Sequence, residues 1–564
     1  MNDQTNAEGK VKSPGLLRRI LWWIWAILLS GLLLLCLIFA TPWKFTTLIV
    51  LFLAAATILP RIYRKWFWLG VGVVILSLIV WVFLPDDNKG WRPYTFDKEL
   101  AQLQAKYAVP DSENAAVIYN QILENWKQKE ANEPNLPNCW FDNVRKGPWL
   151  NKDQPEIAAY IKYHQNEIES VLQATKIEKC SFPIASSFFM YIGHLPAIRQ
   201  GAYLLIAIGN NDIAEGNTKE AVEKYLAAIR LGQHACQQPE YTYNLVGFAC
   251  EALGLGAINN FVVLGDANEF YLDKLEQAVS AIRYDWNTDL PDFINLDKLR
   301  IKNTFGGSIY EVNLKGKTRI SRDQYAKIRE ELKKQLDEGT IDDPETRAEL
   351  QKNIICPGYW QRILMKAYAI PSWFFVPTTP EKYSGIVDAS FEKLYKMTDH
   401  DFDWSKEPND VPIESLFQLK LNLRYFIELT SQMNEKMYFG LHGFYLQSSA
   451  RQKGTLLIIG MRRYKNAHGH WPEKLEDINN LAPAEAFIDP VNCGPFVYRC
   501  TGDSFMLYSR GKNNIDEDGE HETKDIKNYP YMETIKDDEM IWPYKSKSSI
   551  QQEVKADVNE GAIK

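Results

Sequence analysis

The chain has 564 residues, of which 46% are hydrophobic and 24% are charged, and its formal net charge is −7. Residues 1–85 carry a net charge of +6, so the remainder carries −13. An acidic soluble part disfavours nonspecific binding to nucleic acid, and we expect no nucleic-acid partner. The eight cysteines contain no CxxC pair, which argues against a zinc or thioredoxin-like site.

Three apolar stretches predict a membrane anchor over residues 1–85. They cover residues 20–40, 45–59 and 66–84, and a helix needs about 20 apolar residues to cross a bilayer. The middle stretch is short, so it either crosses the membrane or is re-entrant, and a re-entrant segment would leave the body in the cytoplasm. With three crossings, seven of the eight Lys and Arg residues of the anchor lie inside and only Lys44 lies outside. Because cationic residues accumulate on the cytoplasmic side, this arrangement is favoured.

The distribution of charge therefore predicts a multi-pass protein of the inner (cytoplasmic) membrane, with a cytoplasmic N-terminus and an extracytoplasmic body. Tryptophans cluster near the ends of the predicted spans, where an indole can hydrogen-bond at the level of the lipid headgroups. The lipid bilayer is thus the first predicted partner. A cleavable signal peptide is the competing interpretation, but the first apolar run is too long for a typical one.

Residues 86–410 predict a mostly α-helical extracytoplasmic body, since apolar residues recur at three and four positions between Pro and Gly breaks. The clearest pair of helices covers residues 196–236 with a break at Gly216, and a third helix covers residues 240–263. The break and the small residues around Tyr225 resemble half of a tetratricopeptide-like unit. No repeat of fixed period follows, so an irregular all-α domain and a solenoid both stay open. Either would present surfaces for protein partners in the cell envelope.

Near the C-terminus the apolar pattern changes from helical spacing to strand spacing. A long helix over about residues 438–467 precedes two short alternating segments, residues 496–499 and residues 504–508. Gly502-Asp503 between them predicts the turn of a β-hairpin.

These elements define the C-terminal part of the chain. Residues 411–530 predict helices that lead into a small α+β module, and residues 531–564 predict a polar, flexible tail. The predicted fold class is therefore a membrane-anchored α+β protein with a large helical body and a small α+β module.

A series of short motifs follows in this module. They are Met461-Arg462-Arg463-Tyr464-Lys465, His468-Gly469-His470-Trp471-Pro472, Leu475, Asp489-Pro490, Gly494-Pro495, Tyr498 and Leu507-Tyr508-Ser509-Arg510-Gly511. Over about 90 residues their order and spacing resemble the C-terminal domain of type II secretion major pseudopilins. The whole layout is similar to uncharacterised planctomycete-type membrane-anchored envelope proteins. The resemblance implies a place in the cell envelope and a secretion-related process, whereas the position of the module at the far end of the chain argues against assembly into a filament.

In pseudopilins the final loop binds calcium, and the resemblance implies Ca²⁺ as a cofactor here. Such a hard cation takes six to eight oxygen ligands. The resemblance assigns side-chain oxygens to Asn513, Asp516, Asp518 and Asp525, with backbone carbonyls near Leu507 and Gly511. The GPDG-type turn of the family is replaced by Gly511-Lys512-Asn513-Asn514, which removes one carboxylate and adds a lysine. A solvated acidic loop without metal is therefore the alternative.

Two cysteines in the same module, Cys493 and Cys500, are separated by six residues that include Gly494 and Pro495. A turn there could bring them together as a disulfide in an oxidising compartment. Because separation along the chain does not fix geometry, two free thiols are an equal alternative.

No P-loop, dinucleotide-binding glycine pattern, GxSxG elbow, kinase signature or HExxH motif occurs in the sequence. His468 and His470 are better explained as helix-end residues, and the Asp-rich surroundings of His400 as a solvated loop. We therefore predict no catalytic residue and a non-enzymatic, membrane-tethered cell-envelope protein that acts as an interaction or scaffold module. The alternative is an extracytoplasmic hydrolase with a dispersed active site. An apolar, aromatic groove would favour the first function, and a pocket of carboxylates and histidines the second.

Overall fold

A computed structural model of the chain shows a mostly helical protein with small β-sheets. It describes residues 90–127, 133–136, 140–184, 194–321, 377–399, 423–525 and 532–543, together with isolated positions within 68–76, 332–351 and 402–408. The predicted spans 20–40 and 45–59 lie outside the described residues, whereas the few described positions of span 66–84 are helical and exposed. The α+β class is confirmed for the described part, and the membrane anchor stays a prediction.

Several helices begin at residues whose side chains can accept a hydrogen bond from the first turn. Asn268 accepts from the backbone N–H of Tyr271 at 3.3 Å, and Asp285 accepts from that of Thr288 at 3.3 Å. The helices are α1 (Asp97–Tyr107), α2 (Ala115–Lys127), α3 (Trp140–Val144), α4 (Pro155–Tyr163), α5 (Gln165–Ala174), α6 (His194–Ala214), α7 (Thr218–Cys236), α8 (Tyr241–Leu264), α9 (Glu269–Ser280), α10 (Trp286–Ile301), α11 (Gly307–Ile309), α12 (Pro380–Phe391) and α13 (Leu423–His468). The strands are β1 (Trp91–Pro93), β2 (Tyr310–Asn313), β3 (Thr318–Ile320), β4 (Val497–Cys500), β5 (Phe505–Ser509), β6 (His521–Asp525), β7 (Met532–Asp537) and β8 (Glu539–Trp542).

The centre of the body is formed by α6, α7 and α8, which pack against one another. The predicted break between α6 and α7 is confirmed, since Gly216 has a φ of +81° there. Helices α7 and α8 touch at Gly232 and Gly247, where a Cβ on either residue would lie 2.6 or 2.7 Å from the other's carbonyl oxygen. Helix α13 packs across α8 and α9. The described helices therefore form an irregular packed body and not an open solenoid.

Helix α8 is the only helix in the described part of the chain that is long and apolar enough to cross a membrane. In this structure 67% of the most apolar 18-residue stretch of α8 is buried inside the protein. Its neighbours α6, α7 and α13 provide that cover. It is therefore packed as a core helix of the body.

A second core lies between α10, α12 and the first half of α13. A π-helical turn, Lys302–Gly306, continues α10 and leads into α11. Beside it, β1 pairs antiparallel with β2, and β2 pairs antiparallel with β3. The N-terminal strand of the described body is thus joined to a hairpin that lies more than 200 residues later in the sequence.

The C-terminal module shares its core with the body. Helix α13 begins at Leu423, well before the predicted start near residue 438, and ends at His468. Strands β4 and β5 form the predicted hairpin around Gly502. Trp471 and Phe505 belong to the same buried cluster as apolar residues of α7, α8 and α9. The long helix therefore connects module and body into one packed unit.

The predicted flexible tail is wrong for residues 532–542, which form β7 and β8. Strand β8 pairs with β5, so that Trp542 lies opposite Leu507. Ile541 fills the space above Gly454 of α13. The segment is ordered because Ile541 and Trp542 complete the core, although the residues around them are polar. Residues 544–564 lie outside the described part.

Candidate binding groove and acidic loop

A groove of about 340 Å³ opens in the body between the end of α1, the start of α2 and an extended segment that contains Phe182. Both helices contribute apolar side chains to it, and so does the segment. Its described lining consists of Gln104, Tyr107, Ala108, Val109, Asp111, Asn114, Ala116, Val117, Asn120, Ser181, Phe182, Pro183 and Ile184.

The wall that carries Phe182 is held extended by side-chain amides, which take the place of a neighbouring strand. Asn114 accepts from the backbone N–H of Ser181 at 2.9 Å and donates to the carbonyl of the same residue at 2.9 Å. Gln238 accepts from the N–H of Phe182 at 3.2 Å and donates to the carbonyl of Cys180 at 2.9 Å. Because these bonds satisfy backbone groups that would otherwise be buried without partners, they stabilise the wall.

Behind the groove, Phe182 packs against the buried Tyr119, whose hydroxyl contacts His234. Its ring stacks on Tyr119 with a centroid distance of 6.3 Å. The Tyr119 hydroxyl lies 2.9 Å from Nδ1 of His234, and Nε2 of His234 lies 2.8 Å from the carbonyl oxygen of Ile177. Since a carbonyl only accepts, Nε2 carries the proton and Nδ1 accepts from the tyrosine. Burial lowers the pKa of His234 to about 4, so the ring is neutral at neutral pH and serves packing.

The groove offers few polar groups to a ligand. The Oδ1 atom of Asn120 is buried and makes no hydrogen bond with the described residues. Tyr107 is already committed, because its hydroxyl donates to the carboxylate of Asp292. Asp111 supplies the one carboxylate among the described lining residues, and no histidine is among them. The groove can therefore bind apolar groups, and its described lining contains no acid–base pair.

Carboxylates with perturbed pKa values lie elsewhere in the body. Burial raises the pKa of Glu251 on α8 to about 8, and the Tyr284 hydroxyl donates to it at 2.7 Å. Burial also raises the pKa of Asp297 on α10 to about 6, where Tyr438 donates to it at 2.6 Å. Both acids are enclosed by packed helices and are not among the described residues that line the groove. They act as parts of the core and not as an exposed acid–base site.

The acidic loop between β5 and β6 holds two of the predicted calcium ligands close together. Asp516 accepts from the Tyr508 hydroxyl at 2.7 Å and from the Arg499 guanidinium at 2.9 Å. Asp518 accepts from the same guanidinium at 2.5 Å. The bond from Tyr508 lowers the pKa of Asp516, and Arg499 adds to the effect. Asp516 is therefore ionised, and both side chains are paired with a protein cation.

Of the other two predicted ligands, Asn513 uses its side-chain oxygen within the loop. Asn513 turns Oδ1 toward the backbone N–H of Ile515 at 2.6 Å. Asp525 ends β6, and its side chain lies outside the described structure. Among the described residues, no group of three or more His, Cys, Asp or Glu side chains is arranged to hold a metal ion.

Two further carboxylates contact the loop, Asp537 at the end of β7 and Asp538 directly after it, and the sequence analysis did not predict them. Asp538 accepts from the backbone N–H groups of Glu517 at 2.9 Å and Gly519 at 2.8 Å, and Asp537 accepts from two other N–H groups of the loop. The second oxygen of each, Oδ1, is buried without a hydrogen bond to the described residues. Burial raises the pKa of Asp538, and the charge of Glu517 raises it further. The sequence feature that could have indicated these two carboxylates is the pair of adjacent acidic residues before a short apolar run.

The two histidines at the end of α13 both bond to backbone carbonyls. Nδ1 of His468 donates to the carbonyl of Tyr464 at 2.9 Å, and the two rings stack at 4.0 Å. This bond is the helix-end role that the sequence predicts for His468. Nδ1 of His470 donates to the carbonyl of Trp471 at 2.9 Å, in the turn beyond the helix. His400 lies outside the described residues.

The cysteine pair also has a clear outcome. Cys493 and Cys500 are exposed free thiols in this structure, so the free-thiol alternative holds. Asp489, which lies next to them, is fully buried and accepts from the backbone N–H of Val491 at 2.9 Å and from the Asn492 amide at 2.8 Å. The Asp-Pro motif therefore shapes the loop and does not present a reactive group.

Comparison of the chain with protein-family models, curated proteins and solved structures returns no match. The resemblance to pseudopilins therefore stays a prediction from the sequence motifs.

Proposed function

We propose that this chain is a non-enzymatic, membrane-tethered protein of the cell envelope whose helical body binds an extended peptide segment of a partner protein. The groove between α1 and α2 carries this proposal. Its apolar lining suits a branched or aromatic side chain. A partner segment with such a side chain is the ligand that the groove fits best.

The lining supports binding over hydrolysis. Peptide or ester hydrolysis requires a nucleophile or an activated water with a positioned acid–base group. Asp111 is the one carboxylate among the described lining residues, and it is exposed. The nearby His234 is neutral, and both of its ring nitrogens are engaged. These observations favour the interaction module over the hydrolase.

The start of the body, which would follow the predicted tether, is fixed to the rest of the protein. Phe96 donates its backbone N–H to Asn303 at 2.8 Å, directly before α1. The ammonium of Lys302 lies 2.9 Å from Glu99 on α1 and 2.9 Å from Asp388 on α12. Because the side chain of Lys302 is almost fully buried, these ion pairs hold α1 firmly on the body. An anchor joined to this segment would carry the body as a rigid attachment.

A calcium-stabilised loop is a second candidate function, and Asp538 favours it. This fully buried carboxylate has one oxygen without a hydrogen bond to the described residues. It lies beside a loop that carries Asp516 and Glu517, and Asp537 at the end of β7 contacts the same loop. A divalent cation would add positive charge to this group of carboxylates, in which Arg499 pairs with Asp516 and Asp518. The loop would then stabilise the module and play no part in binding the peptide.

The peptide-binding proposal is tested by selection from a displayed library of random peptides against the full chain in lipid nanodiscs. The chain with Val117→Arg serves for counter-selection, because the substitution places a charge in the apolar groove. We expect enrichment of peptides with a branched or aromatic residue that bind the wild-type chain and not the variant. Enriched peptides that bind both proteins equally would overturn the assignment of the groove. Cleavage of the enriched peptides by the wild-type chain would favour the hydrolase.

A further inference from the structure

The hairpin between β2 and β3 ends in an apolar residue that projects into solvent. Leu314 has 94% of its surface exposed, and the exposed Lys315 and Lys317 follow it. An exposed leucine alone is ordinary on a protein surface. This leucine directly precedes Lys315 at the tip of a hairpin, so that one surface carries an apolar side chain beside two cations.

The tip is held in one conformation. The Asn313 side chain accepts from the backbone N–H groups of Lys315 at 3.0 Å and Lys317 at 2.9 Å. Gly316 has a φ of +76°, which the turn requires, and donates its N–H to the Asn313 carbonyl at 2.9 Å. The exposure of Leu314 is therefore built into the turn and does not result from a loose loop.

The direction of the strands places the tip on the side of the predicted membrane anchor. Trp91 opens β1 and pairs with Asn313, the last residue of β2. Because the strands are antiparallel, the turn after Asn313 extends beyond Trp91, toward the part of the chain that precedes it. Trp91 lies seven positions after the end of the predicted span 66–84, and seven residues reach at most about 25 Å. If this span crosses the bilayer, the hairpin tip lies near the lipid headgroups.

The charge around the tip is positive although residues 86–564 carry −13. Arg92 in β1 is exposed, as are Lys315 and Lys317. None of these three forms an ion pair with another described residue. Arg319 stacks its guanidinium on the Trp91 ring at 4.1 Å and pairs with the buried Glu311 at 2.7 Å, so it adds an aromatic surface beside the tip but little free charge. Such a combination of cations, tryptophan and one projecting apolar side chain suits an anionic lipid surface.

We propose that the β2–β3 tip is a second membrane contact, in which Leu314 inserts among the headgroups and Lys315 and Lys317 bind the phosphates of anionic lipids. This inference rests on the proposed membrane tether, but it adds a distinct site. Together, the anchor and the tip would fix the orientation of the body on the membrane. The groove would then face its partner at a constant height and angle.

The test uses the full chain in phosphatidylcholine nanodiscs with and without phosphatidylglycerol. An environment-sensitive fluorescent amino acid is placed at position 314, at position 76 inside the predicted span, or at position 264. Leu264 is also an exposed leucine, at the end of α8, and serves as the control. Quenching by lipids that carry a nitroxide near the headgroup or in the acyl chain reports the contact of each position with lipid.

We expect several-fold stronger quenching at position 314 than at position 264, and stronger quenching in nanodiscs that contain phosphatidylglycerol. Lys315→Glu combined with Lys317→Glu should abolish the difference, whereas Lys146→Glu combined with Lys152→Glu, which changes the net charge equally at exposed sites, should preserve it. Quenching at position 76 without quenching at position 314 would overturn the lipid contact and leave the tether intact. Absence of quenching at both positions would overturn the contact and the tether together.

Discussion

The guanidinium of Arg499 lies 2.9 Å from Oδ2 of Asp516, and its other terminal nitrogen lies 2.5 Å from Asp518. A side-chain cation thus takes the position between the two carboxylates at which the resemblance implies Ca²⁺. Because this pair is largely exposed, it contributes little to stability by itself. Its main consequence is that Arg499 competes with a metal ion for the carboxylate oxygens of Asp516 and Asp518.

Removal of this arginine should therefore strengthen any binding of calcium. We expect Ca²⁺ to raise the melting temperature of full-length Arg499→Ala, in detergent, more than that of the wild-type chain. Asp538→Asn should remove the calcium-dependent shift, because it neutralises the buried carboxylate. Melting temperatures that are independent of calcium in all three proteins would leave the loop as a solvated acidic turn.

The buried Glu251 should make the body less stable as pH rises. Its pKa is raised from 4.5 to about 8 in the folded protein, so the folded chain keeps a proton that the unfolded chain has lost. Folding stability then falls between these two pH values by an amount on the order of 5 kcal/mol, and it levels off above pH 8. Glu251→Gln keeps a group that accepts from Tyr284 and removes the titration.

Urea unfolding of the two proteins at pH 5 and pH 8.5 measures this effect. The variant should gain stability over the wild-type chain at pH 8.5 and much less at pH 5. Glu156→Gln, at an exposed position of α4, controls for the loss of a surface charge. An equal difference between Glu251→Gln and the wild-type chain at both pH values would contradict the buried, protonated carboxyl.

Arg463 should hold the long helix α13 on α9. Its guanidinium contacts Glu269 at 2.6 Å, Asp273 at 2.6 Å and Glu276 at 2.7 Å, all on one face of α9. Because two of these carboxylates are exposed, we expect Arg463→Ala to cost only about 1 kcal/mol. The loss should shrink as NaCl rises from about 0.1 M to about 1 M, since the screening length falls from about 10 to 3 Å. A loss in urea unfolding that does not change with salt would show that packing, not charge, holds the helix.

The contact between α7 and α8 should tolerate no side chain. Gly247→Ala would place a Cβ 2.7 Å from the carbonyl oxygen of Gly232, and such overpacking costs about 1–3 kcal/mol. Gly440→Ala in α13 is the matched control, because nothing lies within 4 Å of its Cβ and alanine favours a helix by about 1 kcal/mol. Melting temperatures should move in opposite directions. A neutral Gly247→Ala would contradict the close packing of the two helices.

The sequence predicts those elements whose signal is local. The turn at Gly216 and the hairpin at Gly502 are both found, because a glycine between two periodic segments ends one and starts the next. The role of His468 was also predictable from its place at the end of a helix. In each case the residues that determine the structure are neighbours in the chain.

The groove depends on contacts that no local pattern carries. Asn114 and Gln238 hold the same wall, but they are 124 positions apart in the sequence. The carboxylates at the acidic loop are also separated in the sequence, since Asp538 accepts from the backbone N–H of Gly519, 19 positions earlier. The sequence of residues 532–542 is polar and predicts no fold by itself. Ile541, which orders this segment, packs on Gly454 of α13, about 90 residues earlier. Such pairings are decided by tertiary packing and not by periodicity.

The assignment of the groove is tested most directly by an equilibrium titration of a labelled, selected peptide into the full chain, followed by fluorescence anisotropy. We expect Val117→Arg to weaken binding about tenfold or more, a loss of about 1.4 kcal/mol. Leu264→Arg, at an exposed position outside the groove, should bind as the wild-type chain does. Unchanged affinity in Val117→Arg, with the fold confirmed by circular dichroism, would contradict the proposal that the groove is the binding site.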